Sequence, residues 1–449
     1  MKHTWILLLF LASLGMAAGQ QPERTVLSLS LKRAVELALS PEGNVQIQLS
    51  GEALQQAQSR SAQARAALLP NIDSSMAYRD QTVNLRANGL QFNIPTVPGF
   101  SFSFPTLVGP FDVTDARFSG TQSIFDFSSI RRLQAAHAGI SAAKADMAST
   151  EEQVAARVAR AYLSAIRADA DVETARANIT LSQAVLAQAE NQKQAGTATG
   201  IEITRARVLL ANDQQRLLVA ENARRSAHLQ LLRVMDMQLD IELDLTDKLG
   251  YVPVDLITLE RAKSQAIAER PDLKAQQERE NSARLSASAT KMERLPSLSA
   301  FGDYGTIGNG LDDARPTRTY GVILRIPVFD GGRRDARRAE SASQYRAEKV
   351  RTKDLKEQIE LDVRLALDAV HSAEEQVKVA REGLQLSESE LAQAQRRYEA
   401  GVAFSLEVTD AQTRLERARD NQTQALYNYN VARIDLEQAM GKVRSSVQK

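Results

Sequence analysis

The sequence predicts a mainly α-helical protein with a small membrane β-barrel portion, built from two internal repeats. Three observations predict it: two proline-free helical stretches of unusual length, an apolar seam that recurs at a fixed offset, and short alternating segments that follow Leu-Pro pairs.

The helical stretches come first. Between Ile130 and Ala195 there is no proline and the only interior glycine is Gly139, and between Arg333 and Ala400 there is again no proline and only Gly383. At ~1.5 Å per residue, about 65 helical residues make a rod of roughly 100 Å, whereas an ordinary globular helix has about a dozen residues. Such rods cover a distance.

The seam identifies them as coiled coils. Val154, Val158, Ala161, Ala165, Ala168, Val172, Ala175, Ile179, Ser182, Leu186 and Ala189 follow one another in alternating steps of four and three. That spacing keeps one stripe facing a neighbouring helix as the two supercoil. Adding 205 to each number gives Ile359, Val363, Ala366, Val370, Ala373, Val377, Ala380, Leu384, Ser387, Leu391 and Ala394. Even the single polar residue, Ser182, has its counterpart in Ser387.

Each seam runs into a turn at the same offset. Ala195-Gly196-Thr197-Ala198-Thr199-Gly200-Ile201-Glu202-Ile203-Thr204 and Ala400-Gly401-Val402-Ala403-Phe404-Ser405-Leu406-Glu407-Val408-Thr409 are identical at five of ten positions. Glycine adopts the left-handed conformation at little cost, which suits Gly196 and Gly401 to ending a helix. A second helix is expected after each turn, from Glu202 to about Asp240 and from Glu407 to about Met440.

Upstream, Leu31 and Leu259 each open an Ala/Gln-rich helix that stops at Leu69-Pro70 or Leu295-Pro296, because proline cannot continue the pattern. Strands are expected next. Ile72, Ser74, Met76 and Tyr78 share one face, as do Leu298, Ala300, Gly302 and Tyr304. Phe118 to Ile124 and Tyr320 to Val328 form the return strands, and Tyr320, Val322, Leu324, Ile326 and Val328 suit a lipid-facing wall. Each half then reads helix, strand, loop, strand, long helix, turn, helix. The boundaries are residues 20–248 for the first repeat and 249–449 for the second.

Composition agrees and excludes other classes. Among 449 residues, 56 Lys+Arg oppose 55 Asp+Glu, a balance with no electrostatic invitation to nucleic acid. Lys2, the apolar run Ile6 to Leu14 and the small residues Ala17, Ala18 and Gly19 describe a secretory signal peptide over 1–19. No later run has the ~18 apolar residues of a transmembrane helix. There is no cysteine, hence no disulfide and no thiol for a lipid anchor. His137, His228 and His371 stand alone on helices, and neither a nucleophile–base pair nor a phosphate loop is evident. No enzymatic activity, cofactor or metal is expected.

Four strands in a bilayer cannot close a barrel, and an open sheet would leave its edge groups unsatisfied. Three chains pooling four strands each would make a plausible closed barrel of twelve. Two accounts fit the aromatic segment from Asp80 to Asp115, with Phe92, Phe100, Phe102, Phe104 and Phe111. It is either a cap over the barrel mouth or, as we favour, a strand extension whose rings pack on neighbouring protomers.

The duplicated strand–rod–turn order, the Leu-Pro pairs, and the exits Phe125-Asp126 and Phe329-Asp330-Gly331-Gly332 resemble the TolC-type outer membrane factors over essentially the whole mature chain. The resemblance implies a homotrimer with a twelve-stranded β-barrel in outer-membrane lipid and a helical α-barrel reaching into the periplasm. Its function would be a passive duct in a tripartite efflux or type I secretion system, docked to a periplasmic adaptor and an inner-membrane pump. Glu202, Glu407 and Asp410 match family positions that carry gate carboxylates, and Tyr398 matches a gate tyrosine. The family's gate arginine is absent, since position 403 is Ala403; Arg205 is the substitute the sequence offers. The tips Gly196, Thr197, Gly401 and Val402 are the expected adaptor-docking points. A periplasmic adaptor or a coiled-coil scaffold is the alternative, and neither calls for two duplicated strand pairs.

Overall fold

The computed structural model describes residues 26–90, 99, 105–196, 199–253 and 257–447. The expected signal peptide, Thr197, and the Phe/Pro-rich stretch containing Phe92, Phe100, Phe102 and Phe104 lie outside the described residues.

The elements run β1 (Val26–Leu29), α1 (Leu31–Ala38), α2 (Val45–Ala66), β2 (Asn71–Asn84), β3 (Leu107–Phe125), α3 (Phe127–Gln194), α4 (Gly200–Val234), β4 (Glu242–Leu245), α5 (Leu259–Glu269), α6 (Pro271–Met292), β5 (Ser297–Gly308), β6 (Arg315–Arg325), α7 (Arg333–Glu399), α8 (Ser405–Ala439) and α9 (Val443–Val447). The two rods are thus 68 and 67 residues long. Each upstream helix, expected as one piece, is two. The break falls at the Ser40-Pro41 turn in the first half and at Arg270 in the second, where Pro271 opens α6. A proline pushes the residue before it out of the helical region and fits the first helical position, so it ends one helix and starts the next.

The chain divides into two compact units, each drawing on both halves of the sequence. One comprises residues 1–47, 151–259 and 364–449, and the other comprises 48–150 and 260–363.

In the first unit, β1 pairs with β4 in parallel, Leu29 opposite Leu245. Neither short strand is apparent from the sequence. Leu29, Val35, Val154, Val158, Tyr162, Leu231, Met235, Ile434 and Val443 form the buried core beside this sheet. The Tyr162 hydroxyl lies 2.9 Å from the Leu29 carbonyl and 2.8 Å from the Asp247 carboxylate, which also accepts from the Leu31 N–H at 2.7 Å. Burial pushes the Tyr162 hydroxyl well above its ordinary pKa. The seam is where the spacing placed it. Val154, Val158, Ala165, Ala168, Val172, Ser182 and Ala189 are buried on α3, and Val370, Ala373, Val377, Leu391 and Ala394 on α7.

The second unit holds an antiparallel sheet in the order β2-β3-β5-β6. Its register aligns Ser74 with Phe118, Phe118 with Tyr304, and Tyr304 with Arg318. Ile72, Met76, Tyr78, Phe118, Tyr304, Tyr320, Val322 and Leu324 therefore share one face, and all are exposed. The opposite face is polar. There Arg117 meets Asp115 at 2.8 Å and Asp303 at 3.0 Å. Strands β2 and β3 reach Asn84 and back to Leu107, so both ends of the aromatic segment extend the sheet. Below the sheet, Arg270 bridges Asp272 at 2.7 Å and Asp362 at 2.9 Å. Among the described residues no helix is long and apolar enough to cross a membrane.

Candidate gate at the helical tips

The two hairpins of the first unit end alike. Gly196 has φ +75° and Gly401 φ +72°, and among the described residues nothing beyond the chain neighbours lies within 4 Å of the Cβ either would carry, so conformation rather than space calls for glycine. After Gly401 the chain closes the end of α7 through a Val402 N–H bond to the Arg397 carbonyl at 3.0 Å, which satisfies an otherwise orphan helix-end acceptor. Helices α4 and α8 then start with Glu202 and Glu407 in their first turns, where a carboxylate complements the helix dipole.

Behind the tips, Val185 and Ala189 of α3, Ile203 and Ala206 of α4, Leu391, Ala394 and Tyr398 of α7, and Val408, Ala411 and Leu415 of α8 pack as one apolar cluster. This brings Tyr398 and Glu202 together although they come from different halves of the chain. Tyr398 is 4% exposed, and among the described residues its hydroxyl has no hydrogen-bond partner. Burial, and then the neighbouring Glu202 carboxylate, push its pKa upward.

Glu407 receives an arginine, though not Arg205. Arg397 Nε of α7 lies 3.2 Å from Glu407 Oε1. Arg205 is exposed on α4 and has no ion-pair partner among the described residues. Asp410 is exposed one turn beyond Glu407. Further pairs lace each hairpin, Arg207 with Glu190 at 3.2 Å on α4 and α3, and Arg414 with Glu390 on α8 and α7. Reading residues in sequence order misses Arg397. It adjoins Tyr398, but only the turn geometry shows which side of α7 meets α8.

Ile201, Val402, Phe404 and Leu406 are exposed at the tips, Phe404 by 80%. They continue an exposed apolar surface that also includes Val208, Leu218 and Val219 on α4 and Val379 and Leu386 on α7, the kind of surface that packs on a partner. His228 is not isolated: it lies 3.1 Å from Asp169. The pair lines a cleft of about 950 Å³ together with Arg176, Arg225 and Leu239. Among the described residues no group of three or more His, Asp or Glu could hold a metal ion.

The chain as a whole is similar to known proteins. The family model described as outer membrane efflux protein matches residues 42–235 and 262–442. The chain is 26% identical over 397 residues to the pyoverdine export outer membrane protein OpmQ of Pseudomonas putida, covering 86% of this chain and 81% of that one. It is 22% identical over 344 residues to the outer membrane protein TolC of Vibrio cholerae, covering 74% and 77%. The solved structure of VceC from Vibrio cholerae shares the fold with a TM-score of 0.76 at 18% identity, over 92% of this chain and 96% of that one. The chain belongs to the outer membrane efflux protein family, and it is a TolC-type channel of the outer membrane.

Proposed function

We propose that three copies of the chain assemble into one duct, with a twelve-stranded barrel in outer-membrane lipid and a periplasmic α-barrel that closes at the hairpin tips. The observation that carries this reading is the sheet β2-β3-β5-β6, apolar on one face, polar on the other and, among the described residues, open at both edges. In lipid each edge needs a partner. An even number of antiparallel strands lets β6 of one copy pair antiparallel with β2 of the next, and three copies close the ring. An adaptor or a soluble scaffold would have no use for such a sheet.

The two halves, 20–248 and 249–449, are structural repeats in this reading, with β2, β3, α3 and α4 answering to β5, β6, α7 and α8. At the tips, Glu202, Glu407 and Asp410 each occur three times around the pore and form acidic rings that favour cations. Gly196, Thr197, Gly401 and Val402, with the exposed Phe404 and Leu406, form the surface that a periplasmic adaptor caps, and an inner-membrane pump completes the tripartite system. The likeness to proteins named for pyoverdine export and as TolC supports an export role, and the pump rather than the duct selects the cargo.

The test is membrane fractionation followed by electrophoresis with and without heating. A heat-sensitive trimer in the outer-membrane fraction is the expected result. A soluble monomer would overturn the proposal.

A further inference from the structure

The apolar seam of the first unit is interrupted by a buried polar layer. Gln412 lies eleven residues past Gly401, which at ~1.5 Å per residue puts the layer roughly 16 Å behind the turn. Ser182 of α3, Asp213 of α4, and Gln412 and Glu416 of α8 are all buried to 5% exposure or less. They form one connected chain. Gln412 Nε2 donates to Ser182 Oγ at 3.2 Å, and Ser182 Oγ contacts both Asp213 Oδ2 and, at 2.9 Å, the Asn178 carbonyl. The Arg216 guanidinium reaches Asp213 Oδ1 at 3.6 Å and bonds to Glu416 Oε2. Beside it, Arg419 of α8 donates to Asn178 Oδ1 of α3 at 3.2 Å.

The layer ties the α3–α4 hairpin to α8. One guanidinium serves two buried carboxylates, and burial pushes the Glu416 and Asp420 carboxyls upward. Asp213 Oδ1, Gln412 Oε1 and Glu416 Oε1 have no hydrogen-bond partner among the described residues, so the layer depends on the few donors it has. The Arg216 side chain is itself 58% exposed, but the Asp213 and Glu416 carboxylates it serves are buried, so removing it strands them in low dielectric, a larger effect than losing a pair exposed on both sides. The Arg397–Glu407 pair at the tip is half exposed and correspondingly weak.

We propose that Arg216 is a positioning residue for the closed channel. It locks the register of α8 against α3 and α4, and the tip widens fully when Arg216 releases Glu416. This rests on the tips being the gate. Charge makes the lock specific: Arg216 belongs to the first half of the chain and Glu416 to the second, so the halves are joined by an ion pair rather than by interchangeable apolar contacts.

The experiment uses the full-length protein in planar bilayers. Arg216→Gln, and separately Asp213→Asn combined with Glu416→Gln, are expected to raise the open fraction on the order of tenfold, since a two-state equilibrium moves by the differential free energy of the lost contact. Arg216→Lys, which keeps the charge without the fork, restores part of the closure. Because the chain has no cysteine, Ser182→Cys with Gln412→Cys can be joined by a short, reducible bis-thiosulfonate crosslinker that replaces the reach of the lost Gln412 side chain. Crosslinking is expected to hold the channel shut and reduction to free it, which also covers any charge variant that fails to assemble. If Arg397→Ala opens the channel while the layer variants conduct as wild type and the crosslinked protein still opens, the lock is wrong and the tip gate stands. If neither set changes conductance, the gate reading falls and the lock falls with it.

Discussion

Arg397 Nε lies 3.2 Å from the Glu407 carboxylate, across the turn made by Gly401. The guanidinium that the sequence does not place at position 403 therefore reaches the acid from the other helix of the hairpin. Both side chains are about half exposed, so the pair shapes the tip without contributing much to stability.

Replacing Arg397 with alanine should raise single-channel conductance while leaving the melting temperature nearly unchanged, because an exposed pair is worth less than about 1 kcal/mol. Unaltered conductance would detach this pair from the gate.

Glu407→Ala combined with Asp410→Ala should weaken cation selectivity, read as a reversal potential nearer zero in a salt gradient. Both acids are exposed at the start of α8, where threefold repetition makes them rings. Selectivity equal to wild type would mean that they do not line the constriction.

Glu437 sets a pH dependence of stability. It lies 3.8 Å from Arg433, and among the described residues its Oε2 is buried without a partner. Burial, reinforced by Glu152, pushes its carboxyl up to about 7 against the opposing pull of Arg433. An unfolded glutamate ionises near 4.3, so between about pH 4.5 and 7 the folded chain binds more protons than the unfolded one. Stability therefore falls as pH rises through that window and levels off above it. Glu437→Gln should flatten the slope and stabilise the protein at about pH 8 by ~1–3 kcal/mol. Denaturant midpoints at about pH 5 and 8 measure it, and an unchanged slope would assign the effect to other acids.

Tyr162→Phe should cost about 1–3 kcal/mol, because it removes a buried hydrogen bond to the Asp247 carboxylate, while the Leu29 carbonyl keeps its bond from the Thr246 N–H at 3.0 Å. The readout is the denaturant midpoint of the full-length chain, with a fully retained midpoint counting against the hydroxyl's role.

Local patterns were legible. The rods, their Gly196 and Gly401 ends, the four long strands and the face they share all follow from periods and breakers that act within a few residues. The splits at Pro41 and Pro271 are equally local, since a proline ends one helix and starts the next. The β1–β4 pairing was not legible, since two four-residue strands 216 residues apart carry no signal that they will meet. At the tip, the acids stood out beside their glycines, while Arg397 was one of several basic residues at the end of α7.

The sequence by itself determined the rods, the turns and the amphipathic strands, because helical and strand periodicities are set by backbone geometry. It also marked Ser182 as the one polar residue in its seam. Only the tertiary structure decided which charges meet. Asp213 and Gln412 reach Ser182 from two other helices, and Arg216 links Asp213 to Glu416. The rotational phase of those helices comes from packing the whole bundle, and no single stretch of sequence encodes it.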